Sequence, residues 1–372
     1  MAILAGEVSG DQLGGTLMGA LNARTDVEWQ GVGGDTMLAQ GLAPIFSMEE
    51  IEANGFDAIV RRLPQLLARI ARAADAVIAM RPDALVIVDA PEFTHRVAKR
   101  VRRALPALPI ANYVSPTVWA WRPGRARAMR AYVDLVLALF PFEPAVHQRL
   151  GGPRCVYVGH PLFESMRRIN ASDGDGLLVL PGSRRGEIER LMPGFGKAAA
   201  AVAGDRPIRL LAVPHLRARI EALAADWPRR AEMLSGEGAK ARAFAGARAA
   251  LAASGTVTLE LAAARVPMVV AYRLDGIGKM IKALHPVLPI VKAPSMVLAN
   301  IVIGRNAIPA FLDDEGSSEV LAATLGPLLS DEAARAAQAA TFDEFHAVMT
   351  VPHPPAEQAA DALLDLIGSQ RG

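Results

Sequence analysis

The sequence predicts an α/β protein of two Rossmann-like, doubly wound domains facing a cleft. Short apolar runs recur along the 372 residues, as in strands buried on both faces of a parallel sheet. Gly-, Ser- or Asp-bearing turns follow the runs, and helix-period segments follow the turns, as in right-handed βα crossovers. After Asn170-Ala171-Ser172-Asp173-Gly174-Asp175-Gly176, the most polar and Gly-rich passage, the pattern restarts at Leu177. This sets domains at 1–165 and 176–345 with a helical tail over 346–372.

The elements follow in order. Ala2–Ala5 reads as a first strand, Gly6-Glu7-Val8-Ser9-Gly10-Asp11 as its loop, and Leu13–Leu21 as a helix. The glycine spacing is not that of a dinucleotide fingerprint. Gly31-Val32-Gly33-Gly34 reads as a turn, and Ser47-Met48-Glu49-Glu50 as a capping box. Leu63, Leu66, Leu67, Ile70, Ala74 and Val77 recur at helical spacing. Ala84–Val88 predicts a buried strand ending at Asp89, Val97–Leu105 a helix, and Ile110–Val114 a strand before Ser115-Pro116-Thr117-Val118-Trp119-Ala120-Trp121-Arg122. Leu135–Phe140 and Cys155–Val158 complete the first half. Strands are expected in the second at Leu177–Leu180, Arg209–Val213, Ala249–Ala253 and Pro267–Tyr272.

Composition excludes several classes. Hydrophobic residues are 52% and charged residues 21%, which suits large cores and not a disordered chain. A net charge of +2 argues against a nucleic-acid binder. One cysteine, Cys155, allows no internal disulfide and fits a reducing cytosol. The first residues lack a signal-peptide pattern, and no apolar run approaches the roughly 20 residues of a spanning helix. Any membrane contact is expected to be peripheral. The histidines show no metal spacing, and Asp173–Gly176 lacks the later ligands of a calcium loop. No metal and no cofactor are expected.

In open α/β sheets ligands bind beyond the carboxyl ends of strands, so those loops hold the candidate residues. Pro181-Gly182-Ser183-Arg184 joins a strand to a helix start, where free N–H groups attract anions and Arg184 offers a fork suited to phosphate. The plain alternative is an ordinary βα turn with a surface Arg. Ser254-Gly255-Thr256 repeats the pattern, with Ser254 or Thr256 as cap; Glu260, a turn further on, can accept from a vicinal diol or serve the helix dipole. Asp89 ends a buried strand, where desolvation raises a carboxyl toward the range of a useful base; the alternative is an Asx-turn. Glu7 shares that ambiguity, whereas Asp11 reads better as a cap. Trp119 and Trp121 beside Arg122, Arg125 and Arg127 can grip a sugar or form a packed corner. His160 reads as structural.

Together these segments resemble the lipid-A-disaccharide synthase family of glycosyltransferases. The matches are Ala5–Asp11, Gly31–Gly34, Asp89–Phe93, Tyr113–Arg122, Pro141-Phe142-Glu143, Val158–Leu162, Leu180–Arg184, Ser254–Thr256 and Met268–Arg273, in family order. Departures are Val8 for Ala, Glu92-Phe93-Thr94 for Asp-Phe-Asn, and Pro309-Ala310-Phe311-Leu312-Asp313 for Pro-Glu-Phe-Leu-Gln. Asn300 matches the preceding family asparagine. The resemblance implies a GT-B fold, UDP-2,3-diacylglucosamine as donor, 2,3-diacylglucosamine 1-phosphate as acceptor, and inverting formation of a β-1,6 lipid A disaccharide 1-phosphate with release of UDP. Asp89 would be the base. Gly182, Ser183, Arg184, Ser254, Gly255, Thr256, Glu260, Tyr272 and Asn300 would bind the donor; Glu7, Ser9, Trp119 and Arg122 lie on the acceptor side. The rivals are a nucleotide-sugar epimerase on the same scaffold and a non-catalytic UDP-binding module. Acylated substrates imply a cytoplasmic protein on the cytoplasmic face of the inner membrane; a homodimer is allowed for. Phe46, Met48, Ile51, Phe56, Ile59, Val60 and Leu63, with Arg61, Arg62, Arg69 and Arg72, are expected to form the membrane-facing surface.

Overall fold

The structure is a computed structural model that describes residues 1–51, 56–169, 174–276 and 295–371. The chain divides into two compact units, Met1–Pro161 with Val351–Gly372, and Leu162–Thr350.

The first unit holds seven parallel strands: β1 (Ala2–Ala5), β2 (Trp29–Val32), β3 (Leu42–Pro44), β4 (Leu85–Val88), β5 (Ile110–Tyr113), β6 (Leu135–Ala138) and β7 (Arg154–Tyr157), ordered β3-β2-β1-β4-β5-β6-β7. Strand side chains alternate between faces, so each apolar run feeds two cores. Ile3, Ala5, Val86, Val88, Ala111 and Tyr113 enter one; Ala2, Leu4, Leu85, Ile87 and Ile110 enter the other.

The helix Pro355–Arg371 covers the first of these cores with Ala359, Ala360, Leu363, Leu366 and Ile367. A separate tail over 346–372 was the expectation. Here the helix Glu332–Met349 groups with the second unit and the chain from Val351 with the first. Burying each large aliphatic side chain stabilises by about 1.5–3 kcal/mol, and that gain draws the last helix onto the sheet.

The second unit repeats the design with six parallel strands: β8 (Gly176–Leu180), β9 (Ile208–Ala212), β10 (Glu232–Ser235), β11 (Ala247–Ala253), β12 (Met268–Tyr272) and β13 (Ala310–Leu312), ordered β10-β9-β8-β11-β12-β13. Leu177, Val179, Leu210, Leu251 and Val269 face a core closed by Ile188, Leu191 and Phe195 of the helix Arg185–Val202. The strand order reverses between β1 and β4 in one sheet and between β8 and β11 in the other, and such switch points place ligand crevices.

Four strands lay outside the sequence expectation: β2, β3, β10 and β13. The last three are sheet edges and need no apolar run on both faces. Within β2, a Cβ on Gly31 would stand 1.7 Å from Ile3 O, so the glycine admits the neighbouring backbone and does not mark a turn. The capping box at 47–50 is also corrected. Met48–Glu50 is a single 3₁₀ turn whose Ser47 side chain makes no cap hydrogen bond.

The membrane-surface expectation is corrected for its described part. Phe46 and Met48 are core residues, 5% and 7% exposed. The Arg69 and Arg72 guanidinium groups lie over the Phe46 ring, each 5.6 Å from its centroid, and Arg69 pairs with Glu50. The apolar stripe of the helix Phe56–Met80 turns to the sheet through Ile70, Ala73, Ala74 and Val77. The side chains of Phe56, Ile59, Val60, Arg61, Arg62 and Leu63 lie outside the described residues.

Candidate active site

At the switch point of the first unit the loops after β1 and β4 touch: a Cβ on Gly6 would approach Ala90 Cβ to 2.8 Å. Glu7 is the exposed N-cap residue of the helix Val8–Asn22, and Ser9 is exposed in its first turn. Asp89 is half-buried, and it and Ala90 both take left-handed backbone, φ 47° and 44°. For non-glycine residues that conformation costs roughly 1–2 kcal/mol each. It is fixed by the Asp89 N–H donating to Tyr113 O at 3.1 Å and by Thr94 Oγ1 donating to Asp89 O at 2.6 Å. Strain held in place at a strand end is characteristic of functional turns, and here it fixes where the carboxylate stands. Asp11 is buried, and its carboxylate accepts from the N–H groups of Gly34, Thr36 and Met37 at 2.7, 2.9 and 3.0 Å. It caps the short helix Asp35–Leu38 and not its own.

Trp119 takes the packed-corner alternative. Its ring meets Phe142 edge-on at 5.5 Å beside Val118, Ala126 and Val146. The aromatic–Arg pair open to solvent is Trp121, 40% exposed, with the Arg122 guanidinium 5.3 Å from its centroid. Beneath this corner lies Glu143, whose role composition and spacing did not reveal. Burial pushes its carboxyl up to about 8, against the pull of the Phe140 N–H, which donates to Oε2 at 3.1 Å. The buried Trp119 indole N–H aims at the same carboxyl without closing a well-formed hydrogen bond. Ser115 Oγ meets His147 Nε2 at 2.9 Å, and burial lowers that imidazole. His160 is pushed down to about 4 by burial and packs 5.4 Å from Phe140.

At the switch point of the second unit a cavity of about 450 Å³ opens between the ends of β8, β9 and β11. Gly182, Ser183, Lys240, Gly255, Thr256 and Glu260 contribute its polar wall, and Leu211, Val213 and Pro214 an apolar one. A few polar groups on an apolar cavity of this size suit a small organic ligand. Gly255, φ 151°, is the N-cap of the helix Thr256–Ala263, which no side chain caps. A Cβ there would meet nothing within 4 Å, so the helix start borders open space in the cavity. Ser254 and Thr256 as caps are thereby corrected: Ser254 Oγ donates to Met296 O at 2.7 Å. The Glu260 carboxylate, 7% exposed, pairs with Lys240. Sequence reasoning missed Lys240, because the strand before its Gly236 turn, β10, is a sheet edge with no apolar run to announce it.

The 183 turn differs from expectation. Arg184, and not Ser183, is the N-cap residue, and Arg184 is exposed. Buried Glu187 reaches back to the Ser183 and Arg184 amides; desolvation raises its carboxyl and those hydrogen bonds oppose the rise. Gly182, φ 107°, is needed both for its backbone and for room, since a Cβ would meet Glu187 Oε2 at 2.2 Å. These amides are held by protein, so the open helix start is the one at 256. Asn300 is held by the protein. It is 2% exposed; Oδ1 accepts from Ala307 N and Ile308 N, and Nδ2 donates to Ile308 O. Its amide ties down the loop at 307–308. Tyr272 ends β12 half-buried and outside the cavity wall. Asp313, at the family-departing position, accepts from Leu274 N at 2.9 Å.

The fold, two parallel-sheet α/β units each with its switch point, is that of GT-B proteins. It is similar to the UDP-GlcNAc 2-epimerase of Methanocaldococcus jannaschii, solved with UDP-GlcNAc and UDP (TM-score 0.59, 12% identity, 98% of this chain and 99% of that one). It is equally similar to CalG4, the calicheamicin glycosyltransferase (TM-score 0.58, 15% identity, 99% and 98%). Epimerases and transferases share this architecture, so fold leaves the chemistry open. Sequence closes it. The lipid-A-disaccharide synthetase family model matches residues 1–361, and the lipid-A-disaccharide synthase of Nitrobacter hamburgensis is 49% identical over 385 residues, covering 100% of this chain and 96% of that one. The chain belongs to the lipid-A-disaccharide synthase family and is a glycosyltransferase of lipid A disaccharide synthesis, acting on a UDP-sugar and an acceptor.

Proposed function

We propose that the chain transfers the sugar of UDP-2,3-diacylglucosamine to 2,3-diacylglucosamine 1-phosphate, with inversion, giving the β-1,6 disaccharide 1-phosphate and UDP. The observation that carries this reading is the second unit's switch-point cavity, where an uncapped helix start and the Lys240–Glu260 pair meet an apolar wall. UDP would lie there, its diphosphate on the amides after Gly255 and its ribose on Glu260. Such a helix start favours negative charge, and Arg184 adds a cation to the leaving group.

In the first unit Asp89 would take the proton of the acceptor hydroxyl as its oxygen attacks the anomeric carbon. The bond from that carbon to the UDP oxygen breaks, and the pair of electrons leaves with UDP. The acyl chains call for docking on the inner-membrane surface at its cytoplasmic face. Among the described residues no helix is long and apolar enough to cross a membrane. A homodimer is part of this proposal only as an expectation. The test is purified protein with both acylated substrates and UDP release followed. UDP release without a disaccharide product, or no release at all, defeats the reading.

A further inference from the structure

The first unit carries a second concavity that the reaction above leaves unused. It is a cavity of about 430 Å³ between the helix Pro91–Ala104 and the short helix Gly124–Met129. Arg96, Lys99, Arg122 and Arg125 line it, above buried His95 and Tyr132. The one acid of its wall, Glu92, is already divided: Oε2 accepts from Arg96 and Oε1 from Arg125, each at 3.3 Å. Four cations less one carboxylate leave +3 on the wall. Among the described residues Lys99 and Arg122 have no ion pair; their cations rest over the rings of Tyr132 and Trp121 at 5.0 and 5.3 Å.

A solvated basic face spreads its charges over a convex surface, where water and salt screen them. Here four cations line one hollow, and an anion seated there would offset their charge. The floor registers the field. His95 is pushed down to about 4, first by burial and then by Arg125 and Lys99. Its Nδ1 lies 3.0 Å from Tyr132 Oη. Pro91 and Glu92, on the wall, stand two and three residues after Asp89 and open the long helix, whose positive dipole end adds to the field.

We propose that this cavity binds a phosphate monoester, the phosphate carried by the acceptor sugar. The proposal rests on the glycosyl-transfer reading above. The arginines supply planar forks matched to phosphate oxygens and Lys99 a point charge. Holding the acceptor by its phosphate positions its hydroxyl for Asp89 and sets specificity for phosphorylated sugars.

The test uses the full chain and the double variant Lys99→Ala/Arg125→Ala. Turnover is compared on the acylated acceptor with its phosphate and on the same lipid with a free hydroxyl there. The double variant is expected to lose roughly tenfold to hundredfold in kcat/KM on the phosphorylated acceptor, mostly in KM, as charge-assisted contacts imply. UDP affinity and turnover on the unphosphorylated lipid stay unchanged, and Arg125→Lys retains most of the preference. An equal loss on both acceptors, or none, overturns the proposal. Glucosamine 1-phosphate and inorganic phosphate, titrated by ³¹P NMR, test the cavity without turnover: binding to the wild type that the double variant abolishes supports it, and no binding to the wild type defeats it. Phosphate binding without turnover on either acceptor would sink the transfer reading alone. A double variant that keeps its acceptor preference but no longer sediments with phosphatidic-acid vesicles assigns the cavity to a lipid headgroup and overturns the acceptor assignment.

Discussion

Replacing Glu260 by Gln tests the nucleotide site most directly. Its carboxylate pairs with Lys240 inside the cavity, the two side chains 9% and 21% exposed. Breaking a fully buried pair costs about 3–5 kcal/mol, because one charge is stranded. Lys240 is a fifth exposed and can turn to water, so a loss nearer 2 kcal/mol follows. The second unit spans Leu162–Thr350, and in a domain of that size each kcal/mol lowers Tm by about 2–4 °C. The variant should therefore melt about 4–8 °C lower. The effect on ligand is separate. A diol accepted by a carboxylate loses a charge-assisted contact worth about 1.5–3 kcal/mol, so UDP affinity by calorimetry should fall roughly tenfold to hundredfold, while uridine 5′-diphosphate lacking the ribose hydroxyls should bind both proteins alike. Lys240→Ala with Glu260→Ala completes a double-mutant cycle. UDP affinity within twofold of wild type in Glu260→Gln, whatever the Tm, would refute the ribose role.

Three further outcomes are expected. Asp89→Asn keeps shape and loses basicity; turnover should fall at least roughly a hundredfold with UDP affinity unchanged, and near-normal turnover would move the role to Glu7. Glu143, held near 8 against an ordinary 4.5, favours folding fully below about 4.5 and loses that contribution as pH rises toward 8; Glu143→Gln should flatten the pH dependence of Tm over that window and exceed wild type above it, and parallel curves would contradict the burial argument. Phe46→Ser should cost about 3–5 kcal/mol, as large core deletions do, whereas Leu67→Ser, at 48% exposure, should leave Tm alone; vesicle sedimentation of the Leu67 variant then shows whether this helix face meets lipid, with unchanged binding counting against it.

The alternation of strands and helices and the presence of two α/β halves were legible in the chain alone, whereas the boundary at Pro161 and the return of Val351–Gly372 to the first unit were not. Buried parallel strands must be apolar on both faces, and the turns at Asp89, Gly182 and Gly255 need residue types that stand out from such runs. Family membership was legible too, because motifs such as Val118-Trp119-Ala120-Trp121-Arg122 are local in the chain. What tertiary structure decided was partnership. Ser254 lines the cavity and also donates to Met296 O, and Asn300 is tied to the 307–308 backbone, partners that no local motif announces. Phe46 and Met48 read as well for a membrane as for a core, and both are buried in the core, the Phe46 ring under Arg69 and Arg72. Lys240 reached Glu260 across twenty residues, and four cations from two helices and a loop came to line one hollow. Periodicity marks which residues seek a neighbour; only closure of the sheets, by fixing which helix covers which face, decides who that neighbour is.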